Sequence, residues 1–270
     1  MPNNLKIGVF ADSMRMPVRD GLQKARAMGA EYFQLFTSVF EFAYSDEFLP
    51  ERMSAAQRQA FRAYYEDLGM TLSATCADFG TGFVDQAVNA TMVPRMFEQI
   101  NLAVDLGTRV MTTHIGVVPD KPDAVWDTLC AALNVIGRYA EDHGVVLATE
   151  TGPESGPVLR SLLDSLDTAG IRVNLDPANL VMAGFDLDEA LDALMPYIVH
   201  THAKDGIRDP AAWALGKWQE MPLGQGDVPW THYLSRLREG GYDGVFIIER
   251  ELGDNPVADI AHAITFLRQF

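Results

Sequence analysis

Histidine and carboxylate side chains stand at the ends of several apolar runs in this chain. The stretch Ile198–Gly206, IVHTHAKDG, opens with apolar residues and then carries His200, His202 and Lys204. An apolar run that turns polar at its carboxyl end is typical of a buried parallel strand with chemistry at its tip. Because side chains alternate along a strand, these three lie on one face. The pattern indicates a functional site at the end of this strand.

Three further apolar runs end on a carboxylate in the same way. VVLATE ends at Glu150, IRVNLD at Asp176 and GVFIIE at Glu249. With His202 they form a mixed set of oxygen and nitrogen ligands that suits one divalent ion: Mn2+, Mg2+ or Co2+, with Zn2+ as a further candidate. Without a cation the carboxylates would repel one another in a low-dielectric pocket. The sequence therefore predicts a metal site, if one fold brings the four tips together.

The order of the elements predicts such a fold. Strand-like runs alternate with helical patterns, and 270 residues divided by eight repeats gives about 34, the size of a strand–helix unit in a barrel. We expect a (β/α)8 TIM barrel forming one domain over residues 1–270. A doubly wound sheet is the alternative, but FADSMRMP after the first run lacks its Gly-rich phosphate turn. The predicted strands are Leu5–Asp12, Glu31–Thr37, Thr71–Asp78, Arg109–Gly116, Val145–Gly152, Ile171–Asp176, Ile198–Asp205 and Gly244–Glu251.

Helical spacing of apolar residues and capping signals predict the helices between these strands. Ser54, followed three residues later by Gln57, has the pattern of a capping box. The predicted helices are Pro17–Met28, Ser54 to about Gly69, a face of Val93, Phe97, Ile100 and Val104, a face of Val125, Leu129, Leu133 and Ile136, then Pro157–Ala169, Asp186–Met195, Trp230–Glu239 and Pro256–Gln269.

Composition limits the partners. Lys and Arg total 21 against 37 Asp and Glu, a net charge of −16, which disfavours nucleic acid and anionic membranes as partners. No apolar run reaches the roughly 18 residues of a membrane span, and MPNNLKIGVF does not have the pattern of a secretion signal. Cys76 and Cys130 lack CxxC spacing, as expected of reduced thiols in a cytoplasmic protein. A small neutral or modestly charged substrate is the expected partner.

Five motifs resemble a known family when they are taken in order. LATETGP, VNLDPANL, HTHAKDG, PLGQGDVPW and FIIERE resemble the xylose-isomerase-like TIM barrels of the sugar phosphate isomerase/epimerase superfamily, over nearly the whole chain. The resemblance implies a carbohydrate substrate and one metal ion held by Glu150, Asp176, His202 and Glu249. In the ketose 3-epimerase branch, the glutamates corresponding to Glu150 and Glu249 also act as the catalytic acid/base pair.

One departure from that branch broadens the expected activity. The branch commonly has a histidine three residues after the Asp ligand, where this chain has Asn179, and an amide cannot carry a proton near neutral pH. We expect a divalent-metal-dependent isomerase or epimerase acting on a sugar, ketose or polyol-derived ketone through an enediolate. An inosose-type dehydratase with the same metal site is the alternative. An abasic-site endonuclease needs more histidine ligands and a basic groove, and a non-catalytic binding barrel need not keep both glutamates.

Further residues are candidates for substrate contact. His114 ends the fourth predicted strand, and Asn179 and Lys204 follow the ligand motifs. Gln225 lies in a loop that, by the resemblance, approaches the metal or the substrate. His200 shares the strand face of His202 but lies two residues deeper, so that a structural role and a functional role both remain open for it. The expected substrate-binding residues are therefore His114, Asn179, Lys204 and Gln225.

Two loops are unusually apolar. The predicted loop Ser38–Met53 carries Phe40, Phe42 and Tyr44, and Trp213 and Trp218 follow the seventh strand. Exposed apolar patches of this size commonly mark contacts. We expect a homo-oligomer, with closure of these loops over the pocket as the alternative.

Overall fold

Eight parallel strands close into a barrel in which the first and last strands pair. The computed structural model describes residues 5–270. Its barrel strands are Lys6–Phe10 (β1), Tyr32–Phe36 (β2), Thr71–Cys76 (β3), Val110–Thr113 (β4), Val146–Glu150 (β5), Ile171–Leu175 (β6), Ile198–Ala203 (β7) and Val245–Ile248 (β10), and Asp205–Gly206 (β8) pairs with Glu220–Met221 (β9) in a separate antiparallel hairpin. Around the barrel the order is β1, β10, β7, β6, β5, β4, β3, β2. The predicted (β/α)8 fold is confirmed, and each barrel strand lies inside a predicted one.

Helices cover the outside of the barrel between the strands. They are Val18–Met28 (α1), Ala55–Asp67 (α2), Gln86–Leu106 (α3), Ala124–Asp142 (α4), Gly156–Asp164 (α5), Pro177–Ala183 (α6), Leu187–Leu194 (α7), Pro210–Ala214 (α8), Trp230–Glu239 (α9) and Pro256–Leu267 (α10). The capping box at the start of α2 is present, since Ser54 and Gln57 exchange hydrogen bonds. Within residues 5–270, no helix has the length and apolarity needed to cross a membrane.

The buried face of α3 differs from the predicted one. Met92, Met96, Ile100 and Ala103 are buried, whereas Val104 is 42% exposed. Apolar residues occur almost all round this helix, so that two overlapping 3.6-residue patterns fit the sequence and only contact with the barrel selects between them. Of the predicted face, Ile100 is buried, Val93 and Phe97 are half-buried, and the prediction is wrong at Val104.

Helix α5 also ends earlier than predicted, at Asp164 instead of Ala169. The backbone N–H groups of Asp167 and Ala169 donate to the side chains of Asn134 and Glu141 on α4. Side-chain acceptors on a neighbouring helix replace the next helical turn there, a tertiary effect that local spacing does not reveal. The short helices α6 and α8 and the β8–β9 hairpin have no counterpart among the predicted elements.

The apolar loop after β2 packs back onto the barrel mouth. Phe36, Phe40 and Phe42 form a run of contacting rings, with centroids 5.6 and 5.7 Å apart. Asp12 fastens this loop, since its carboxylate accepts hydrogen bonds from Phe36 N at 3.0 Å and Tyr44 N at 2.9 Å. Burial raises the pKa of Asp12 to about 6, against the lowering effect of these backbone hydrogen bonds. Association through this loop stays a prediction.

Candidate metal centre

The four predicted ligands converge inside the carboxyl end of the barrel. Glu150 ends β5, Asp176 follows β6, His202 lies near the end of β7 and Glu249 follows β10. One potential ligand atom from each lies within 4.8 Å of all the others, and all four residues are buried. These strands are neighbours in the order β5, β6, β7, β10, so that their tips meet at one point. The structure thus brings together the residues that the sequence pattern singled out.

A neighbouring glutamine sets the orientation of the His202 ring. His202 Nε2 lies 2.9 Å from Gln34 Oε1, and Gln34 Nε2 in turn donates to Thr112 Oγ1 at 2.7 Å. With its amide nitrogen committed to Thr112, Gln34 presents its oxygen, which favours a ring proton on Nε2, and Asn174 Nδ2 lies 3.2 Å from the same ring nitrogen. Nδ1 is the ring nitrogen that faces the carboxylates.

His202 Nδ1 has no hydrogen-bond partner among the described residues, although it is fully buried. It lies 3.3 Å from Glu150 Oε1, 3.6 Å from Asp176 Oδ2 and 3.1 Å from Glu249 Oε2. Burial lowers the pKa of His202, but the charges of Glu150 and Glu249 outweigh this and raise the pKa well above its ordinary value. The cluster thus demands a positive charge at its centre, which a divalent cation supplies as well as a proton does.

Asp176 divides its two oxygens between the fold and the cluster. Oδ1 accepts hydrogen bonds from Ala178 N at 2.8 Å and Asn179 N at 3.0 Å, which caps the start of α6. Oδ2 is buried and has no hydrogen-bond partner in the described part of the chain. A buried carboxylate oxygen without a partner is rare unless an ion binds it. Together with the orphaned His202 Nδ1, it makes the donor set fit a divalent metal ion.

Two asparagines hold Glu150. Asn179 Nδ2 donates to Glu150 Oε1 at 3.1 Å, and Asn174 Nδ2 lies 3.3 Å from Oε2. Asn174 Oδ1 accepts from His200 Nδ1 at 2.8 Å, and His200 Nε2 lies 3.3 Å from Ser73 Oγ. Burial and the nearby His202 lower the pKa of His200 to about 3, so this ring is neutral. His200 therefore belongs to a buried hydrogen-bond chain that orients Glu150.

Lys204 holds Glu249 through its ammonium group. Its Nζ lies 3.1 Å from Glu249 Oε2 and 4.0 Å from Asp176 Oδ2, and it also donates to Glu251 Oε2. Burial raises the pKa of Glu249, but the charges of His202 and Lys204 lower it below its ordinary value. Burial raises the pKa of Glu251 to about 8, against the effect of Lys204.

The other candidates for substrate contact divide into two cases. His114 is 42% exposed, and its Nδ1 lies 2.5 Å from Asp78 Oδ2. Burial lowers the pKa of His114, but Glu150 and Asp78 raise it to about 10, so the imidazole is charged near neutral pH. Gln225 is exposed, its backbone N–H donates to Pro222 O, and its side chain has no hydrogen bond to the cluster within residues 5–270. The structure thus does not bring Gln225 to the cluster.

An open cavity of about 320 Å³ gives access to Glu249. The β2–α2 loop forms one wall through Phe42 and Tyr44, and Glu251 follows Glu249 along another. Its size fits a small molecule rather than a polymer. The lining residues are Asp12, Ser13, Arg15, Phe36, Glu41, Phe42, Ala43, Tyr44, Glu249, Arg250 and Glu251.

Gln34, Asn174 and Glu251 are neighbours of the ligands that sequence reasoning missed. Gln34 and Asn174 stand inside strands, in YFQLF and IRVNL, where a polar residue is easily read as a surface position. The structure shows that both side chains are completely buried. A buried amide needs hydrogen-bond partners, and this need indicates their role beside the ligands. Glu251 lies two residues after Glu249 in the predicted last strand, and this spacing could have indicated it.

Replacing Gln34 should weaken metal binding without touching a ligand. Gln34→Leu removes the acceptor that orients His202, and loss of such an orienting partner typically lowers metal affinity about 10- to 100-fold. Gln99→Leu is the matched control, because Gln99 is also a buried glutamine and bonds Thr37 instead of a ligand. Isothermal titration with Mn2+ measures both variants. Equal affinities for the two would contradict the orienting role of Gln34.

Comparison with known proteins places the barrel in a family. Residues 22–270 match the xylose isomerase-like TIM barrel family. This chain belongs to that family. Among solved structures, a xylose isomerase domain protein from Planctomyces limnophilus superposes with a TM-score of 0.84 at 27% identity, covering 98% of each chain.

Curated relatives of this xylose isomerase-like barrel are distant. It is 28% identical to L-ribulose-5-phosphate 3-epimerase of Salmonella paratyphi B over 225 residues, 78% of this chain and 76% of the relative. It is 25% identical to inosose dehydratase of Salmonella agona over 148 residues, 49% of each chain. The chain spans 65% of the length of an uncharacterised Methanocaldococcus jannaschii protein, also at 25% identity, over 200 residues and 68% of this chain. Of these relatives, one is named as an epimerase, one as a dehydratase, and the third is uncharacterised.

Proposed function

We propose that this chain is a divalent-metal-dependent isomerase or epimerase acting on a sugar, ketose or polyol-derived ketone through an enediolate. The observation that carries the proposal is the buried group Glu150, Asp176, His202 and Glu249, with its two unpartnered ligand atoms. A bound divalent ion, with Mn2+, Mg2+, Co2+ and Zn2+ as candidates, would polarise the substrate carbonyl and offset the negative charge of the enediolate. The epimerase relative supports the same reaction class.

Glu150 and Glu249 are the proposed acid/base pair. Each has a carboxylate oxygen near His202 Nδ1, at 3.3 and 3.1 Å, and they come from strands separated by β6 and β7. A substrate carbon between them can lose a proton to one carboxylate and receive one from the other. Asn179 holds Glu150 and Lys204 holds Glu249, so each base has its own orienting donor. His114, exposed at the mouth, is the proposed contact for a substrate oxygen.

Solvent deuterium tests this proposal. With bound metal and a ketose or inosose substrate in D2O, we expect deuterium at the carbon beside the carbonyl, because a carboxylate base exchanges its proton with solvent. Mass spectrometry and proton NMR of substrate and product measure the incorporation. Turnover without any deuterium would contradict proton transfer and indicate a hydride shift.

A dehydratase is the second candidate, and His114 is the observation that favours it. The imidazole of His114, which Asp78 holds through Nδ1, is a titratable group that can protonate a departing hydroxyl group. The relative inosose dehydratase shares half of the chain at 25% identity. Loss of water from an inosose, detected by mass spectrometry, with no epimer formed from any ketose, would favour this candidate.

A further inference from the structure

The loop after the last barrel strand is a frequent phosphate-binding place in TIM barrels. In this chain it is the segment 249–255, between β10 and α10. The backbone N–H groups of Glu251 and Leu252 both point at one acceptor, Oε2 of Glu220, at 3.0 Å each. A carboxylate of the chain itself therefore lies where an anionic ligand would accept these hydrogen bonds.

Glu220 is held there as a bound anion would be. It belongs to β9 of the hairpin, its side chain is fully buried, and its Oε1 accepts from Arg250 Nη1 at 2.8 Å. Arg250 Nε donates to Asp259 Oδ2 at 2.9 Å. Two backbone amides and a guanidinium are a typical donor set for phosphate. Here the set is fully used by Glu220.

The arginine and lysine side chains around the mouth are committed as well, and His114, whose Nδ1 is bonded to Asp78, does not line the cavity beside Glu249. Arg15 donates to Gly253 O at 2.7 Å and Glu251 O at 2.5 Å. Arg208 donates to the carbonyls of Gly184 and Phe185 at the end of α6. Lys204 lies between Glu249 and Glu251, as described above. A phosphate group could bind these cations only by displacing their acceptors.

The cavity beside Glu249 is itself acidic. Asp12, Glu41 and Glu249 line it as acidic residues, and Glu251 lines it with its pKa raised to about 8. Its two positive residues, Arg15 and Arg250, are both bonded within the protein. Lys121 and Lys217 are exposed and do not line this cavity. A doubly charged phosphate would meet the charges of these carboxylates, and both guanidinium groups are already bonded to other acceptors.

We propose that the carboxylate of Glu220 fills the phosphate position of this barrel. The substrate is then an uncharged polyhydroxy ketone without a phosphate group, a refinement that rests on the proposed function. The hairpin β8–β9 carries the selectivity, because it delivers Glu220 to the loop after β10. Hydroxyl groups of such a substrate can bond the acidic lining as donors, which phosphate oxygens cannot do.

Inorganic phosphate tests the role of Glu220 without any activity assay. The metal-free full chain is titrated in a phosphate-free buffer and followed by ³¹P NMR and melting temperature. We expect no saturable binding to the wild type. Glu220→Ala frees the donors of Glu251, Leu252 and Arg250, and should bind phosphate about 10-fold or more tightly than the wild type does. Glu220→Ser, which leaves similar space, replaces it if the alanine variant does not fold.

Saturable phosphate binding by the wild type, or no gain in the folded variant, would overturn this role of Glu220. Glu98→Ala is the matched control, an exposed glutamate on α3 that should gain nothing.

Paired substrates test the substrate class. Free ketoses and their terminal phosphate esters are compared by deuterium exchange with the metal-loaded wild type. We expect kcat/KM to be about 100-fold or more higher for the free ketose, the scale of rejection when polar groups in a site are left unmatched. A preference for the esters would overturn the inference and leave the proposed function standing. Absence of exchange with every compound would overturn the proposed function and its substrate class, while the phosphate titration decides the role of Glu220 separately.

Discussion

Glu249→Gln lowers kcat by about 10²- to 10⁴-fold when metal is kept in excess, the usual effect of removing a general base. The amide keeps the size of the side chain, and its oxygen can still accept from Lys204, which lies 3.1 Å from Oε2 in the wild type. It can neither take up a substrate proton nor supply the full charge of a metal ligand. Steady-state kinetics across a metal titration separate the loss of the base from the loss of metal.

Glu98→Gln is the control for the same chemical change, since Glu98 is exposed on α3 and away from the ligands. It should leave kcat and metal affinity unchanged. A Glu249→Gln enzyme with full metal occupancy and undiminished kcat would remove Glu249 from the acid/base pair.

Asp176→Asn abolishes most of the metal affinity while it keeps the fold. Asparagine caps a helix as well as aspartate does, so the hydrogen bonds to Ala178 N and Asn179 N persist. The unpartnered Oδ2 is replaced by a weaker ligand or an N–H group, and we expect affinity for Mn2+ to fall by more than about 100-fold, beyond the loss typical of a mere orienting partner. Isothermal titration measures this change directly.

Stability measurements give the same prediction a second readout. Metal at about 100 times its Kd should raise the free energy of unfolding of the wild type by about 2.7 kcal/mol, and a chelator should reverse the gain. The variant should lose that gain and, without metal, be no less stable than the wild type, because one charge has left a crowded acidic cluster. Asp186→Asn is the matched control, since Asp186 is exposed and caps α7 through Glu189 N. Equal metal stabilisation of both variants would contradict a ligand role for Asp176.

The ligand positions could be predicted from sequence because they depend on chain order and strand ends alone. Once eight strands alternate with helices, the residue that ends each apolar run must lie at the carboxyl mouth of the barrel. That reasoning located Glu150, Asp176, His202 and Glu249, and the structure places them within reach of one ion. Assignment of their roles in catalysis remains a proposal.

Residues that depend on contacts between distant segments could not be predicted in the same way. Gln34 and His202 are in contact although they lie 168 residues apart in the chain, and no local sequence pattern links the two. Glu220 stands in a two-residue strand, too short for any periodicity to appear. The buried face of α3 required knowledge of which side meets the barrel, because both overlapping patterns are apolar.

The buried chain from Ser73 through His200 and Asn174 to Glu150 has a consequence for how this protein can evolve. An apolar replacement at any one of these positions strands a neighbour's polar atom inside the barrel, and such atoms are expensive to leave without a partner. A single substitution in this hydrogen-bond chain is therefore destabilising, whereas the joint replacement of several of its residues by well-packed apolar side chains is tolerated. Substitutions in this interior layer should be inherited in groups, and a lineage that loses one amide must first acquire a compensating change beside it.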